Sequence, residues 1–497
     1  MALKKICGIE TEYGIIHQGV EEFNPAYSSS VLISAYLAAQ ESEHPRWDFN
    51  DEMPGNDARG FSRTDVLSPD MHPQLANAIL LNGARYYVDH AHPEISSPEC
   101  GDALSAVLYD CAADVIMQRS MENAKAVLPA GEEIVVYKNN SDGKGNSYGC
   151  HENYLMDRTV PFSLVAQGIM AHFITRQIYC GAGKVGMETV GEEPTREGFQ
   201  LTSRADFIEE QIGLETTIKR PIINTRDEPH ADYRRFRRLH VIVGDANMSQ
   251  VATLLKVGTT AFVLAMIEDD FLPREIVFAH PVAALRNISS DLSLAEPQQM
   301  ADGTQATALD IQWEMYELSR KFSELGGLEQ VGEKAGQMVL DRWERVLTGL
   351  EADPMSLADQ IDWVAKHRLI AGYRDRHSLS WDDPRLKAFD LQYHDLRPEK
   401  CIASRVGLEQ IVDPEAVLAA TATPPSDTRA YFRGRCLEKF SAHILAANWD
   451  SVLFDTDGDS RITLMDPMQG ETEELARLFD MCETPAELLE HMGGKHV

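Results

Sequence analysis

The stretch NGARYYVDHAHPE, residues 82–94, contains the pattern that decides the fold. In an extended strand successive side chains point to opposite faces, so Arg85, Tyr87 and Asp89 share one face and Tyr86 and Val88 share the other. A strand that is polar on one face and apolar on the other is typical of an antiparallel sheet with one covered face. The stretch therefore predicts a sheet whose open face carries a cation, a phenol and a carboxylate.

The segments around this stretch predict an α+β fold, in which long helices cover the apolar face of an antiparallel sheet. A first strand is predicted over residues 4–13. Periodic apolar residues predict helices over residues 31–41, 102–127, 251–267, 305–350 and 356–374. Residues 251–267, VATLLKVGTTAFVLAMI, are apolar enough to form a buried core helix.

Residues 42–74 predict a long interruption of this fold, because they combine prolines, glycines and many charges without a sustained hydrophobic period. A connection of this length is usually functional or disordered. Trp47, Phe49 and Phe61 give the segment a means of docking on the rest of the protein. We interpret it as a mobile flap, and simple disorder explains the composition equally well.

The sequence TATPP, residues 421–425, predicts a linker. It would separate a catalytic domain over residues 1–425 from a small C-terminal domain over residues 426–497. The last segment ends in a well-signalled helix, because Thr484 can cap it and a proline and a glutamate follow at the favoured positions.

Composition limits the classes of function. The chain has 497 residues, enough for more than one domain, and a net charge of −32. That charge argues against non-specific binding to nucleic acid or to an anionic membrane, because both require a positive field. The sequence has no apolar run of membrane-spanning length, no signal-peptide pattern at its start and no CxxC pair among its eight cysteines. We expect a cytoplasmic protein without a zinc site or a disulfide framework.

Two glutamates lie on one face of the predicted first strand, ICGIETEYG. Glu10 and Glu12 are two residues apart and so project together, while Ile9 and Thr11 point the other way. Two carboxylates roughly 7 Å apart repel each other unless a cation lies between them. Mg²⁺ is suited to this role, because it binds hard oxygen ligands and bridges nucleotide phosphates. A solvated edge strand, with both glutamates facing water, explains the pattern equally well.

The opening stretch adds groups that could carry chemistry. Arg85 is suited to bind phosphate, because its planar guanidinium matches an oxyanion. Asp89 could act as a general base or as a nucleophile. Glu94, Glu99 and the oxygen of Tyr87 are candidate metal ligands. The alternative is that the tyrosine packs in the core and the aspartate merely ends a strand.

Two further segments carry candidate ligands. His151 follows a glycine-rich turn, NNSDGKGNSYG, that matches neither a P-loop nor a dinucleotide-binding motif. The sequence RRFRRLHVIVGDANM, residues 234–248, begins with four arginines and places His240 at the start of a predicted strand. With Arg226 upstream, this is the one concentrated basic region of an acidic chain. It could bind phosphate or a carboxylate-bearing substrate, although at least half of these arginines are expected only to contact solvent.

Long stretches in the same order resemble the Pup ligase and depupylase family, in which Pup is the prokaryotic ubiquitin-like protein of actinobacteria. They are GIETEYG, NGARYYVDHAHPE, SSPEC, YKNNSDGKGNSYGCHENYLM, INTRDEPHAD, RRLHVIVGDANMS, TPPSDTRAYFRG and NWDSVLFD. This family belongs to the carboxylate–amine ligase superfamily with glutamine synthetase. The resemblance implies a curved antiparallel sheet cradle, backed by helices, with a small C-terminal domain.

The family has two branches. The ligase uses ATP to join the C-terminal glutamate of Pup to a lysine, whereas the depupylase deamidates the terminal glutamine of Pup and cleaves Pup from lysines. The segment 42–74, the form of the glycine-rich turn and VDHAHPE, where the ligase typically reads LDVGSHPE, favour the depupylase. The ligase is the alternative, and a non-catalytic Pup- or ATP-binding regulator and an unrelated amide ligase are others. The expected partners are Pup and pupylated proteins.

The resemblance also implies a role for individual residues. Asp89 would be the catalytic aspartate, and Arg226 would bind the terminus of Pup. The cofactors would be ATP, or ADP with phosphate, and Mg²⁺. The implied nucleotide-binding residues are Gly8, Ile9, Glu10, Thr11, Glu12, Arg85, Ser97 and Trp449. The implied metal ligands are Glu10, Tyr87 and Glu94, to which we add His240.

Overall fold

The computed structural model describes residues 2–40, 44–49, 52–63, 76–188, 198–456, 460–492 and 495–496. Its strands are β1 (Cys7–Glu12), β2 (Gly14–Gln18), β3 (Arg46–Trp47), β4 (Asn56–Asp57), β5 (Phe61–Ser62), β6 (Asn77–Ile79), β7 (Arg85–Asp89), β8 (His92–Ser96), β9 (Glu133–Tyr137), β10 (Cys150–Asp157), β11 (Lys184–Val185), β12 (Phe199–Gln200), β13 (Ile208–Gly213), β14 (Arg220–Asn224), β15 (Phe236–Val241), β16 (Gln298–Gln299), β17 (Gln305–Ala306), β18 (Ile444–Ala447), β19 (Ser451–Phe454), β20 (Ser460–Thr463) and β21 (Lys495–His496).

The helices lie mainly between and after these strands. They are α1 (Pro25–Ala38), α2 (Ala103–Val127), α3 (Phe162–Thr175), α4 (Gln177–Cys180), α5 (Gln250–Glu268), α6 (Pro281–Ser290), α7 (Ala308–Phe322), α8 (Leu328–Val331), α9 (Glu333–Ala352), α10 (Asp362–His377), α11 (Pro384–Tyr393), α12 (Pro414–Ala420), α13 (Ala430–Phe440), α14 (Glu473–Met481) and α15 (Pro485–Met492).

One 11-stranded sheet runs through the molecule in the order β15-β10-β1-β8-β7-β6-β3-β18-β19-β20-β21. Every neighbouring pair in this sheet is antiparallel except β3 and β18, which are parallel. The predicted antiparallel sheet is therefore confirmed, with one parallel pairing that the sequence did not predict.

The opening stretch forms the hairpin of β7 and β8 near the middle of this sheet. Tyr86 and Val88 are buried against α1 and α2, so the predicted alternation of faces is confirmed. The hairpin closes through His90 and Ala91, whose φ angles of 44° and 84° are both positive. A two-residue turn with positive φ at both positions normally contains Asn-Gly. Two residues with side chains therefore hold backbone strain directly beside Asp89.

Helix α5 is the core helix that the sequence predicts. It is long and apolar enough to cross a membrane, but 94% of its apolar window is buried inside the protein. No other helix among the described residues passes the same test. Helix α2 is likewise confirmed over almost the predicted range.

Some predicted bounds are wrong. The first strand covers Cys7–Glu12 only, because the chain turns into β2, which pairs with β9 outside the main sheet. Helix α1 begins at Pro25, since Asn24 caps it and accepts a hydrogen bond from the Tyr27 amide. The helix predicted over 305–350 is interrupted, because Gly326 and Gly332 adopt positive φ angles of 101° and 83°.

The C-terminal segment continues the main sheet, because β18 pairs with β3. It also supplies most of one hydrophobic cluster, in which α13, α14, α15, β18, β19 and β20 pack together with Trp47 and Ile79. Helix α15 starts as predicted, with the Glu487 amide donating to Thr484 Oγ1 at 3.3 Å. A domain boundary at residue 425 stays a prediction.

The segment predicted as a mobile flap is described at residues 44–49 and 52–63. Its first part adds β3 to the main sheet and buries Trp47. Its second part forms the β4–β5 hairpin, where the Ala58 amide donates to the Thr225 carbonyl at 2.8 Å. Residues 42–43, 50–51 and 64–74 lie outside the described residues, and mobility of the segment stays a prediction.

Candidate active site

A cavity of about 920 Å³ lies on the polar face of the main sheet. Its floor comes from β1, β7, β8, β10 and β15, which are neighbours in the sheet. Most of the residues singled out in the sequence therefore meet here. Those that line the cavity are Glu10, Glu12, Arg85, Tyr87, Asp89, Glu94, His151, Arg226, His240 and Trp449.

Glu12, Asp89 and Glu94 form a group of carboxylates whose oxygens lie within 4.8 Å of one another. Sheet register brings them together, because Glu94 lies opposite Glu12 on β1 and opposite Tyr87 on β7. Burial and the charges of Asp89, Glu12 and Glu10 raise the pKa of Glu94 well above its usual range. A cation at this position would relieve that repulsion.

Tyr87 supports this group. Its hydroxyl donates to Glu94 Oε1 at 2.7 Å. Burial and the neighbouring charge of Glu94 raise the pKa of Tyr87 well above its usual range, so the phenol keeps its proton and remains a donor. The other oxygen of Glu94 is buried and has no hydrogen-bond partner among the described residues.

Glu10, His151 and His240 form a second group, also with ligand atoms within 4.8 Å. Burial alone would raise the pKa of Glu10. The hydrogen bond from His151 and the positive charge of Arg238 oppose the effect of burial, and that pKa lies well below its usual range. The side chain of Asn153 also donates to Glu10, at 2.8 Å. Glu10 is therefore an ionised carboxylate.

His240 could bind a cation through its Nε2 atom. Burial lowers the pKa of His240 well below its usual range, so the ring is neutral. Its Nδ1 lies 3.0 Å from Asn153 Oδ1, an acceptor, and this contact favours the tautomer with the proton on Nδ1. Its Nε2 is buried without a hydrogen-bond partner within the described part of the chain. A lone pair in this position is what a metal or a donor on a ligand would use.

The two groups are adjacent but separate. His151 connects them, since its Nδ1 lies 3.5 Å from Glu10 Oε2 and its Nε2 lies 3.8 Å from Glu12 Oε1. The metal ligands implied by the resemblance thus divide between two positions, with Glu10 and His240 at one and Tyr87 and Glu94 at the other. Both positions offer donors that suit a divalent cation.

Asp89 lies at the end of β7 beside the strained turn. His90 Nδ1 is 2.7 Å from Asp89 Oδ1. Burial alone would raise the pKa of Asp89, but the hydrogen bond from His90 and the charges of His90, His151 and Arg226 outweigh it and lower the pKa. Asp89 is therefore ionised at neutral pH, as a nucleophile or a general base must be.

A second cavity of about 90 Å³ adjoins the first, and Glu10 and Trp449 line both. Gly8, Ile9 and Ser97 also line it, with Tyr154, Leu155 and Ile6 as apolar neighbours. A Cβ on Gly8 would lie 3.3 Å from Ser97 Oγ, so a side chain there would press on this wall. Thr11 lines neither cavity, because its side chain points to the buried face and contacts Cys150.

The far end of the large cavity is rich in arginine. Arg226 lines it with Arg204, Arg220 and Arg286. The buried Nε of Arg226 has no hydrogen-bond partner among the described residues. Burial and the charge of Arg204 lower the pKa of Arg220 to about 10. Guanidinium groups that repel one another favour an anionic ligand.

The sequence predicts that at least half of the arginines of RRFRR contact solvent, and two of the four are exposed. Arg234 and Arg235 are exposed, Arg237 lies within 4.0 Å of Asp227, and Arg238 lines the cavity. The expectation that a strand begins near His240 is wrong, because β15 already begins at Phe236 and includes two of the arginines.

Glu99 is not part of either carboxylate group. It accepts hydrogen bonds from Arg429 at 2.7 Å and from Arg433 at 2.6 Å, and so ties α13 to the end of β8. Although burial opposes it, the two guanidinium charges lower the pKa of Glu99 to about 2. Its part in the structure is an ion pair.

Sequence reasoning missed several residues of the cavity. Glu52, Glu228 and His230 line it, as does His92. Glu228 accepts a hydrogen bond from the Met53 amide, which joins the segment 52–63 to the loop that contains Arg226. A signal existed for Glu228 and His230, since both lie in INTRDEPHAD, but nothing in the sequence indicates where Glu52 lies.

Known proteins are similar to this chain in sequence and in fold. A family model described as Pup-ligase protein matches residues 5–453. The chain belongs to the Pup-ligase family. Relatives in this family carry two kinds of name, and they match this chain over different lengths.

The depupylase of Acidothermus cellulolyticus is 48% identical to this chain over 509 residues, which cover 99% of this chain and 100% of the relative. The Pup deamidase/depupylase of Mycolicibacterium smegmatis is 44% identical over 504 residues, with 99% and 100% covered. The Pup–protein ligase of Kineococcus radiotolerans is 38% identical over 417 residues, with 82% and 90% covered.

Solved structures of the family have the same fold. The ligase PafA in complex with the prokaryotic ubiquitin-like protein Pup matches with a TM-score of 0.79 and 33% identity, over 96% of this chain and 92% of that chain. The Pup ligase PafA in complex with ADP matches with a TM-score of 0.73 and 36% identity, over 83% and 90%. The predicted α+β, glutamine synthetase-like fold is confirmed.

Proposed function

We propose that this chain is a depupylase and Pup deamidase, which hydrolyses the isopeptide bond between Pup and a lysine and converts the terminal glutamine of Pup to glutamate. The observation that carries the proposal is identity of 44–48% over 99% of the chain with proteins of those names. Relatives named as ligases match at 37–39% over 81–82%. Its partners are then Pup and pupylated proteins, and its site of action is the cytoplasm.

The nucleotide, ATP or ADP with phosphate, would bind across the two cavities. Gly8 and Ser97 are close neighbours in the lining of the small cavity. Trp449 also lines this cavity, and its ring could pack against the base or the ribose. Arg85 lines the large cavity and offers its guanidinium to the phosphates. An ADP complex of a relative that is 36% identical supports nucleotide binding in this fold.

A divalent cation fits both ligand groups. Glu12, Asp89 and Glu94 offer only oxygen, the ligand that Mg²⁺ prefers. Glu10, His151 and His240 mix oxygen with nitrogen, and His240 Nε2 has no hydrogen-bond partner among the described residues. When bound, Mg²⁺ would neutralise the carboxylates and polarise phosphate oxygens.

Asp89 would carry the reaction. It is ionised and held by His90, so it either attacks the carbonyl of the scissile amide or removes a proton from water that does so. Asp89 lies four residues along β7 from Arg85, or roughly 13 Å of extended chain. The nucleotide end and the reacting end of the cavity are therefore separated, with Tyr87 and Glu94 between them.

The arginine-rich end would hold the terminus of Pup. An acidic protein that binds an acidic partner needs a local positive field, because the net charge of −32 repels that partner at a distance. Arg226, Arg220 and Arg286 supply that field inside the cavity. The carboxylate at the end of Pup would fall within reach of these guanidinium groups.

A purified conjugate of Pup and a protein tests the proposal. With Mg²⁺ and ATP, we expect the chain to release Pup and the unmodified protein, and to deamidate free Pup that ends in glutamine. Formation of new conjugates from Pup ending in glutamate, without any release, would mean that the chain is a ligase instead. The ligase is the alternative, because relatives named as Pup–protein ligases also match most of this chain.

A further inference from the structure

We propose that Trp47 is a positioning residue for Arg85, and that it fixes the plane in which the guanidinium meets the nucleotide. This inference rests on the proposed function, since it takes Arg85 as the group that binds phosphate. Trp47 belongs to the segment 44–49, which the sequence presents as part of a flap rather than as part of the site.

The rings of Trp47 and Tyr87 both contact the guanidinium of Arg85. The Cζ atom of Arg85 lies 4.0 Å from the centre of the Trp47 ring and 3.9 Å from the centre of the Tyr87 ring. Both distances are well inside the range of a cation–π contact. Because the rings lie close to the guanidinium, its rotation about the long side chain is restricted.

The edges of the same group are also held. Arg85 Nε donates to Asn77 Oδ1 at 3.1 Å. The indole Nε1 of Trp47 donates to Glu52 Oε1 at 2.7 Å, and that oxygen lies 3.6 Å from Arg85 Nη1. One carboxylate oxygen therefore orients both the tryptophan and the arginine.

The backbone of Trp47 is anchored in the main sheet. Trp47 lies opposite Ala447 on β18, and its neighbour Arg46 lies opposite Ala78 on β6. The ring of Trp449, which follows β18, contacts the ring of Trp47 edge to face, with 5.3 Å between ring centres. Trp47 thus lies between the two groups that we assign to opposite parts of the nucleotide.

These contacts have a functional consequence for arginine. A free arginine side chain has many rotamers, and ordering it on a ligand costs entropy. Contact with two rings removes much of that freedom before the ligand arrives. Loss of Trp47 should therefore weaken nucleotide binding through Arg85, beyond any loss of stability.

The simpler interpretation is that Trp47 only fills the hydrophobic cluster of the C-terminal segment, where it is 5% exposed. That interpretation predicts a less stable protein whose nucleotide affinity is unrelated to Arg85. A double-mutant cycle separates the two, because it measures whether the effect of one residue depends on the other.

The experiment measures the Kd for ADP with Mg²⁺ by calorimetry, and the Tm, for wild type, Trp47→Leu, Arg85→Lys and the double variant. We expect Trp47→Leu to raise the Kd about tenfold, and to have less than about a twofold effect in the Arg85→Lys protein. Trp47→Phe, which keeps a ring, should lie between wild type and Trp47→Leu. Phe432→Leu, in the same hydrophobic cluster, should lower the Tm without changing the Kd.

Equal effects of Trp47→Leu in both backgrounds, or no effect on the Kd, would overturn the inference and leave the proposed function standing. A wild-type protein that binds no ADP would overturn the proposed function and, with it, this inference. A Phe432→Leu variant that shifts the Kd as much as Trp47→Leu would show that general loosening explains the result.

Discussion

At the scale of single residues, the site contains carboxylates that are close together but whose pKa values are shifted in opposite directions. The pKa of Glu94 is raised by burial and by its acidic neighbours, whereas the pKa of Asp89 is lowered, despite burial, by His90 and other cations. Where the surroundings shift the pKa values of two neighbouring acids in opposite directions, the two acids usually have different roles in the reaction. Here Asp89 is the ionised group available for chemistry.

Replacement of Asp89 by asparagine should abolish turnover without preventing nucleotide binding. The amide keeps the shape of the side chain but can neither attack a carbonyl nor accept a proton. We expect the rate of Pup release to fall at least about 100-fold, with an unchanged Kd for ADP. Release measured by gel or mass spectrometry together with calorimetry checks both parts, and retained turnover would remove Asp89 from the mechanism.

Replacement of Arg226 by alanine should weaken binding of Pup. Its buried Nε has no hydrogen-bond partner among the described residues and lines the arginine-rich end of the cavity. Loss of a charge-assisted hydrogen bond should raise the KM for the conjugate roughly tenfold. Arg234→Ala is the matched control, since Arg234 is exposed and does not line the cavity. Equal effects of both variants would contradict the assignment.

The sequence predicted which side chains lie together where they belong to one strand, because side chains alternate between the two faces of a strand. Arg85, Tyr87 and Asp89 follow one another at a spacing of two, so their common face could be read directly. The pairing of Glu10 with His151 depends on the register of β1 against β10, which are about 140 residues apart in the chain. No local pattern contains that register.

At the scale of elements, the β7–β8 hairpin presents Asp89 through a strained turn. His90 and Ala91 both have positive φ, a conformation that glycine adopts without cost and other residues do not. The turn holds because β7 and β8 continue as a paired hairpin in the middle of the sheet.

Ala91→Gly should stabilise the protein, because it removes the steric penalty at a φ of 84°. We expect the free energy of unfolding to rise by about 1 kcal/mol. Ala91→Val should have the opposite effect, since a β-branched residue is least tolerated at positive φ. Chemical unfolding of the three proteins checks the order, and a glycine variant less stable than wild type would contradict the strain.

The ion pair of Glu99 with Arg429 and Arg433 should contribute stability that depends on pH. Its folded pKa of about 2 lies below the usual 4.5, so the contribution is present above pH 4.5 and is lost as the pH falls toward 2. That shift corresponds to about 3 kcal/mol. Glu99→Gln should therefore lower the free energy of unfolding by about this amount at pH 7, and by less as the pH falls below 4.5.

The control for this variant lies on the same helix. Glu438 pairs with Arg435 on α13, but the side chain of Glu438 is 62% exposed. Glu438→Gln should change the free energy of unfolding by less than about 1 kcal/mol at any of these pH values. A Glu99→Gln effect that is independent of pH would contradict the assigned charge interaction.

At the scale of the whole molecule, one sheet joins the large cavity to the C-terminal segment. The junction is β3, a strand of two residues that pairs with β6 on one side and β18 on the other. A strand this short has no periodicity, and its parallel pairing joins residues about 400 apart. Sequence patterns predicted the long helices α2 and α5 and the polar face of the sheet, but not this connection.

The sheet thereby places Asp89 and the proposed nucleotide-binding residues Arg85 and Trp449 around one cavity. Amide hydrolysis in water does not need the energy of ATP, so a nucleotide in this site would act as a cofactor that completes the structure of the cavity. A ligase, by contrast, must consume one ATP for each bond that it forms. The ratio of ADP formed to Pup released therefore separates the two members of the family.

The most direct test follows both products in one reaction. A purified Pup–protein conjugate is incubated with this chain, Mg²⁺ and either ATP or no nucleotide, and released Pup and ADP are measured over many turnovers. We expect Pup to be released only when nucleotide is present, and the amount of released Pup to be far larger than the amount of ADP formed. Release without nucleotide, equal amounts of ADP and Pup, or no release at all would contradict it.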